Sequence, residues 1–327
     1  MSNSGTPSAD TLPNVAAHLP SMFMSWRTRL PSHVLAIRPW SLSASIIPTL
    51  LGCTIAHKLN QSIEFSLLTL LLTLLTVALV HGAGNVVNTY YDYVRGIDGR
   101  NSDDRTLVDR ILSENEVERL GAILYFLSFV TFFWLAIISQ AKMGHLAAAY
   151  LWGLSVSFLY TGGFGFKYIA LGDVIFIILF GPASVLFAYL SHTGQINVEP
   201  IYYAIPLALN TEAILHSNNT RDLESDRKVG IVTLAILIGR TASIIFYGFL
   251  LFTPYIMLIV FSIRCTKWFF LPLVTISYAF KIEREFRNNI NIQSIPKRTA
   301  KLNCIFGILY IFAVMAADKS NMPFNVK

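Results

Sequence analysis

The sequence predicts an all-α integral membrane protein, a bundle of nine transmembrane helices with an internal pseudo-repeat. Three observations carry this expectation. Of 327 residues, 54% are hydrophobic and only 13% are charged, about half the charged share of a soluble domain. Apolar runs close to the ~20 residues that cross a bilayer recur along most of the chain. Two short polar motifs repeat at the ends of two of these runs.

The chain is expected to open with a disordered cytosolic tail, residues 1–32, rich in Ser, Pro, Asn and Thr. Such a segment has too little apolar surface to order itself. It does not read as a secretory signal, because no basic stretch precedes a short apolar core with a small-residue cleavage site. The membrane domain is expected over 33–317, with spans at 33–57, 64–91, 117–139, 143–162, 170–192, 200–219, 241–263, 268–287 and 299–317. A short tail, 318–327, follows. The second and sixth spans turn polar at their ends, and the chemistry is expected there.

Charge gives the orientation. With a cytosolic N-terminus, 19 of the 25 Lys and Arg residues fall on the cytosolic side and 6 on the other, as positive-inside topology requires. The C-terminus then lies across the membrane. The net charge of +6 suits basic residues beside anionic lipid. No basic stripe suggests nucleic acid. The three cysteines, Cys53, Cys265 and Cys304, are scattered, so neither a zinc site nor a disulfide framework is expected.

Carboxylates are unevenly spread. Of 19 acidic residues, eight fall between Asp92 and Glu118, after the second span. Asp222, Glu224 and Asp226 follow the sixth. Asn88 and Asp92 are four apart, as are Asp222 and Asp226, a spacing that puts both side chains on one helix face. Oxygen ligands converging on one face suit a hard cation such as Mg²⁺, which takes one or two carboxylates, waters and substrate phosphate oxygens. The motifs echo each other: Asn88-Thr89 precedes Asp92, and Asn219-Thr220 precedes Asp222. This is the pseudo-repeat, and repeats that meet at a binding site are common in membrane proteins.

A metal-bound diphosphate also wants cations. Lys167 ends a run with glycines at 162, 163 and 165, which allow either close backbone approach to phosphate or a flexible connection between spans. The run is not a Walker loop, because the Gly-Lys-Ser/Thr ending is missing. Arg105 and Arg221 can fork onto phosphate oxygens. Tyr90, Tyr91 and Tyr160 are candidates to face an allylic cation, and Tyr160 stands beside the diphosphate candidates. His81 and His216 are read either as partners of the nearby Asn residues or as ordinary helix contacts. Glu212 is either a paired structural carboxylate or a proton acceptor.

The strings His81-Gly-Ala-Gly-Asn-Val-Val-Asn-Thr-Tyr-Tyr-Asp92, Ser102-Asp-Asp-Arg-Thr-Leu-Val-Asp-Arg-Ile-Leu112 and Glu212-Ala-Ile-Leu-His-Ser-Asn-Asn-Thr-Arg-Asp222 resemble the UbiA superfamily of intramembrane prenyltransferases. The resemblance covers roughly residues 33–317 and implies a cavity open toward cytosol and lipid. It implies transfer of a geranylgeranyl chain from its diphosphate to reduced menadione, a hydroquinone, giving menaquinone-4 (vitamin K2). Two Mg²⁺ ions are implied, one held by Asn88, Asp92 and Asp98, the other by Asp222 and Asp226 with Asn219 beside them. Lys167, Arg105 and Arg221 would hold the diphosphate. The resemblance also implies endoplasmic reticulum and Golgi membranes, with a mitochondrial membrane as the other location, and a mevalonate-pathway reductase of the endoplasmic reticulum as partner.

The first motif departs from many family members. Thr89 follows Asn88 where they carry Asp, and Gly96 holds the place of their last Asp. Asp98 is the next carboxylate, reaching a metal directly or through water. Other acceptors on the same fold, such as benzoate, homogentisate or haem, remain open, as does a non-enzymatic sterol- or isoprenoid-sensing escort role. A CDP-alcohol phosphotransferase is disfavoured by the missing Asp-Gly-x-x-Ala-Arg string.

Overall fold

The computed structural model describes residues 26–60, 64–99, 102 and 104–324. Residues 1–25 of the expected tail, and the last three residues of the chain, lie outside them, whereas residues 26–32 of that expected tail are helical, as the start of the first helix. Among the described residues the chain is all-helical, with one isolated β-bridge, Ile169 to Val232.

Helix α1 (Trp26–Ile37) and α2 (Ser43–Leu59) form a pair bent by 55°. The 55° angle lies between Ser32–Ser41 and Ser43–Leu59, and within the first of these segments Arg38-Pro39 separates α1 from a short 3₁₀ turn (Pro39–Ser41). Proline disfavours helical backbone in the residue before it, and Arg38 takes left-handed φ 56, ψ 65. That conformation costs about 1 kcal/mol for a residue with a Cβ, so the surroundings must hold it. Helix α3 (Leu67–Val94) is capped by Ser66, whose hydroxyl accepts from the Thr69 amide. Its 28 residues reach about 42 Å, beyond the ~30 Å hydrocarbon core. The helix is therefore longer than a crossing needs, and its last turns carry Asn88 and Asp92.

Helix α4 (Glu114–Ile138) starts with a reciprocal capping box between Ser113 and Glu116 and packs along α3. Helix α5 (Met143–Leu159) leads into a glycine-rich loop, then α6 (Gly172–Ile178), a π-helical turn (Leu179–Ala183) around Pro182, and α7 (Ser184–Thr193). Helix α8 (Glu199–Arg221) and the short α9 (Leu223–Lys228) carry the second motif. Helix α10 (Leu234–Arg264) breaks at Gly239, where φ is 78 and ψ 165. A 3₁₀ segment (Lys267–Thr275), α11 (Ile276–Arg287) and α12 (Ile295–Ala316) complete the bundle.

The expected spans are helical over most of their length, yet fewer than nine qualify as crossings by length and apolarity. Among the described residues five do: α3, α4, Gly172–Thr193, α10 and Ile292–Ala316, with a sixth if the bent pair Ser32–Ser41 and Ser43–Leu59 is one span. Helix α5 has only 17 residues. Helix α8 carries Asn210, Glu212, His216, Asn218 and Asn219. The expected helix at 268–287 is half 3₁₀, with Pro272 inside it, and half amphipathic α11. Large apolar side chains lie exposed along α3, α4 and α10, among them Leu71, Phe126, Trp134 and Ile245. Such continuous apolar exposure is the mark of a lipid-facing surface, and the chain is a multi-pass membrane protein.

The main core joins α2, α8, α10 and α12 through Leu51, Ile55, Tyr203, Leu207, Tyr247 and Phe306. A second cluster joins α3 and α4 with Leu107 and Leu112 of their connecting loop, and a third joins α4, α5 and α7. Small residues let backbones close up: a Cβ on Gly52 of α2 would collide with the Val185 carbonyl oxygen of α7. This is the close small-residue contact on which helix association in lipid depends. Between these clusters lies a large cavity.

Candidate active site

The cavity has a volume of about 1230 Å³, above the usual range of ligand pockets. It runs along α3 from Thr76 to Asp92, about 24 Å at 1.5 Å per residue. Its far end reaches Gln195–Val198, between α7 and α8. Its body is apolar, walled by Val77, Val80, Phe176, Phe180, Leu186 and Leu190. Its head is polar, and both sequence motifs face it.

In the first motif Asn88 and Asp92 share one face of α3, are both buried and both line the head. Asn88 Oδ1 accepts from Arg38 Nη1 at 2.9 Å, and its amide donates to Thr161 at 3.3 Å. Arg38 also donates to Asp104 at 2.7 Å, and the Thr89 hydroxyl donates to the same oxygen at 2.5 Å. The strained backbone at Arg38 thus aims a fork at the motif and its following loop. Asp92 Oδ2 accepts from Lys167 Nζ at 2.6 Å, and Oδ1 from the Tyr168 hydroxyl at 2.7 Å. The chain then folds back, the Ile97 and Asp98 amides donating to the Asp92 carbonyl at 2.8 and 3.2 Å. This returns Asp98 to the head of the cavity.

In the second motif Arg221 forks onto Asp222 at 2.7 and 2.6 Å and donates to Asn218 at 2.8 Å. The Asp226 amide donates to the Asp222 carbonyl at 2.9 Å, so the four-residue spacing is helical as expected. Asn219 lines the cavity, while its amide donates to Asp173 at 3.4 Å.

Electrostatics shows the two motifs meeting. Burial, then the Asp92 charge, pushes the Asp98 carboxyl up to about 7. Burial, then the Asp222 charge, pushes Asp226 up to about 6; Lys167 and Asp92 act on it as well. Lys167 is therefore shared by both motifs. Asp104 behaves oppositely: burial works against its charge, but the Arg38 guanidinium and the Thr89 and Thr106 donors hold it well below the usual carboxylate range. Burial and the Asp92 charge push the Tyr168 hydroxyl well up, keeping it a donor.

The Lys167 loop is built for this placement. Gly163 and Gly165 take left-handed φ values of 55 and 62. Arg95 packs against Gly165 and stacks over the Tyr168 ring at 4.3 Å. The loop is pinned to the segment after α9, the Ala170 amide donating to the Val232 carbonyl at 2.6 Å and the Val232 amide to the Tyr168 carbonyl at 3.1 Å. The three glycines do not line the cavity; they turn the chain so that Lys167 does. Tyr160 also lines it, its hydroxyl buried and without a hydrogen-bond partner.

Other expectations change. Tyr90 and Tyr91 do not line the cavity; Tyr91 packs on Phe158 and beside Arg95. Arg105 lies at the cavity edge but is half exposed and paired with Asp109 at 2.7 Å. His81 bonds Ser45 rather than Asn85, and His216 bonds Asp173 rather than Asn219. Sequence reasoning missed Arg38, Asp104, Tyr168 and Asp173 as site partners. Two of them carried a signal: Arg38 and Asp173 are charges inside the expected spans 33–57 and 170–192, and such a charge is a functional candidate.

Residues 45–305 match the profile of the UbiA prenyltransferase family. The chain is 59% identical over 291 residues to the UbiA prenyltransferase domain-containing protein 1 homolog of Drosophila melanogaster, covering 89% of this chain and 81% of that one. It is 52% identical over 299 residues to human UbiA prenyltransferase domain-containing protein 1, covering 91% and 88%. Its fold is similar to a UbiA homolog from Archaeoglobus fulgidus solved with GPP and Mg²⁺, at TM-score 0.59 and 20% identity, covering 88% and 100%. It is also similar to an apo UbiA homolog from Aeropyrum pernix, at TM-score 0.61 and 14% identity, covering 83% and 96%.

Proposed function

Because the chain belongs to the UbiA prenyltransferase family, we propose that it transfers a geranylgeranyl group from its diphosphate to reduced menadione, making menaquinone-4. The observation that carries this is the cavity itself: two carboxylate motifs and a shared lysine at its head, and a long apolar body below. An anionic head group and a long isoprenoid chain match those two halves. The similar archaeal fold solved with GPP and Mg²⁺ supports a prenyl diphosphate as donor.

The donor set of the motifs fits Mg²⁺, because Asn88, Asp92, Asp98, Asn219, Asp222 and Asp226 all offer oxygen. Carboxylates already paired with Lys167 and Arg221 keep free lone pairs for a metal. We assign one ion to Asn88, Asp92 and Asp98 and a second to Asp222 and Asp226, with Asn219 beside them. When bound, the ions neutralise charge on the diphosphate oxygens. Lys167, Arg221 and Arg105 hold the diphosphate as the allylic C–O bond breaks and its electron pair leaves with the oxygen. Tyr160 presents its unpartnered hydroxyl to the diphosphate, or its ring to the allylic cation. The apolar walls keep water from that cation. The electron-rich ring carbon attacks it, and loss of the ring proton restores aromaticity.

We read the bundle as nine crossings over 33–317, the shorter α5, the polar α8 and the segment Lys267–Arg287 crossing beside the five apolar spans. The pseudo-repeat places both motifs at one face. The tails, 1–32 and 318–327, flank it, with the N-terminus and motif loops cytosolic. Endoplasmic reticulum and Golgi membranes fit this reading, as does partnership with a mevalonate-pathway reductase.

The test is a panel of reduced acceptors offered with radiolabelled geranylgeranyl diphosphate to the protein in nanodiscs. Label is expected in a naphthoquinone product. Label only in a benzoate or haem product would change the acceptor. Diphosphate binding without any product would favour the escort role.

A further inference from the structure

Behind the cavity a second polar cluster joins α6 to α8. Asp173, Glu212 and His216 are all buried, and none of them lines the cavity. One ligand atom from each lies within 4.8 Å of the others. His216 Nε2 faces the Ser243 carbonyl oxygen at 3.1 Å, and its Nδ1 faces Asp173 Oδ1 at 3.1 Å. A carbonyl only accepts, so Nε2 carries the hydrogen and, in the neutral ring, Nδ1 presents a lone pair. That lone pair then points at a carboxylate oxygen, and two acceptors at this distance need either a proton or a metal ion between them.

Glu212 supplies an independent sign of what is missing. Both of its carboxylate oxygens are buried and receive no hydrogen bond from a donor group, in a side chain only 2% exposed, and the carboxyl faces that of Asp173, a second acceptor. A buried carboxylate left this way is costly. The nearby Tyr160 hydroxyl, also buried and unpartnered, stands 3.4 Å from where a Cβ on Gly172 would be, next to Asp173. With both carboxyls ionised, as metal ligation requires, two carboxylates and a neutral imidazole sum to two negative charges. A single divalent ion neutralises both and gives each ligand a partner.

We propose that Asp173, Glu212 and His216 bind one divalent transition-metal ion, separate from the ions of the diphosphate site. The donor set selects the class. Imidazole with carboxylates suits zinc or manganese, whereas magnesium prefers an all-oxygen octahedron. A metal-bound histidine usually gives its other N–H to a carbonyl or carboxylate, as His216 does to Ser243 on α10. Three protein ligands leave one position open. Bound there, the ion ties α6, α8 and α10 together, and through Asp173 it steadies Asn219 beside the second motif.

Zinc is the probe. The full chain in detergent is loaded with Zn²⁺, desalted and assayed for bound metal and for unfolding temperature. Wild type is expected to hold one zinc equivalent more than Glu212→Gln. The double variant Asp92→Ala, Asp222→Ala, which cripples the diphosphate site, should keep that equivalent. Zinc should raise the unfolding temperature of wild type by roughly 5 °C, reversibly with EDTA, and leave Glu212→Gln unmoved. Equal zinc in wild type and Glu212→Gln, or no shift in wild type, would overturn the site and leave a cluster held by protons. If Glu212→Gln does not fold, the double variant decides: retained zinc and shift support the site, and their loss overturns it.

Discussion

Replacing Lys167 by Met tests the shared cation at the head of the cavity. Its ammonium sits 2.6 Å from Asp92, with a side chain only 19% exposed, and acts on Asp226 across the site. Methionine keeps most of the volume and removes the charge. Two effects follow. Asp92 loses one of two donors but keeps the Tyr168 hydroxyl at 2.7 Å, so the bundle should fold. The departing diphosphate loses a preorganised cation, worth about 3–4 kcal/mol where one donor to a developing charge has been removed elsewhere. That converts to roughly 10²–10³ in kcat. Single-turnover transfer from radiolabelled geranylgeranyl diphosphate in nanodiscs measures it, with diphosphate binding measured separately. A variant retaining more than a tenth of wild-type turnover would refute the role of Lys167, leaving it a structural partner of Asp92.

Two other changes probe what supports the site. Tyr168→Phe deletes a hydroxyl bonded to Asp92 in a residue that does not line the cavity; turnover should fall roughly 10- to 100-fold, as for loss of an orienting partner, with unchanged unfolding temperature, and unchanged turnover would remove the orienting role. Gly52→Leu should prevent α2 from closing on α7, where even a Cβ meets the Val185 carbonyl, costing about 1–3 kcal/mol or more from overpacking; size-exclusion and thermal unfolding in detergent read this directly, and wild-type behaviour of the variant would contradict the packing.

The sequence made the motifs legible because their spacing is local. Asn88 with Asp92, and Asp222 with Asp226, follow from helical period alone, and both pairs line the cavity as that period requires. The same period could have turned Tyr90 away, since it lies two residues from both Asn88 and Asp92, on the opposite face. The partners of the motifs were not legible, because they come from far along the chain. Arg38 lies 50 residues before Asn88, and Tyr168 lies 76 after Asp92. Nothing local announces that Asp173 meets His216 across 43 residues. Crossings were harder to count than helices were to find. Helix α8 trades apolar length for the polar groups of the site, and Pro272 turns half of an expected helix into 3₁₀.

The most direct test of magnesium-assisted prenyl transfer at the joined motifs is product formation by wild type, Asp92→Ala and Asp222→Ala under matched conditions. Geranylgeranyl diphosphate, reduced menadione and Mg²⁺ are supplied in nanodiscs, with and without EDTA. The account predicts a prenylated naphthoquinone from wild type only, abolished by EDTA, with both variants folded and inactive. Turnover persisting in both variants, or in EDTA, would contradict it.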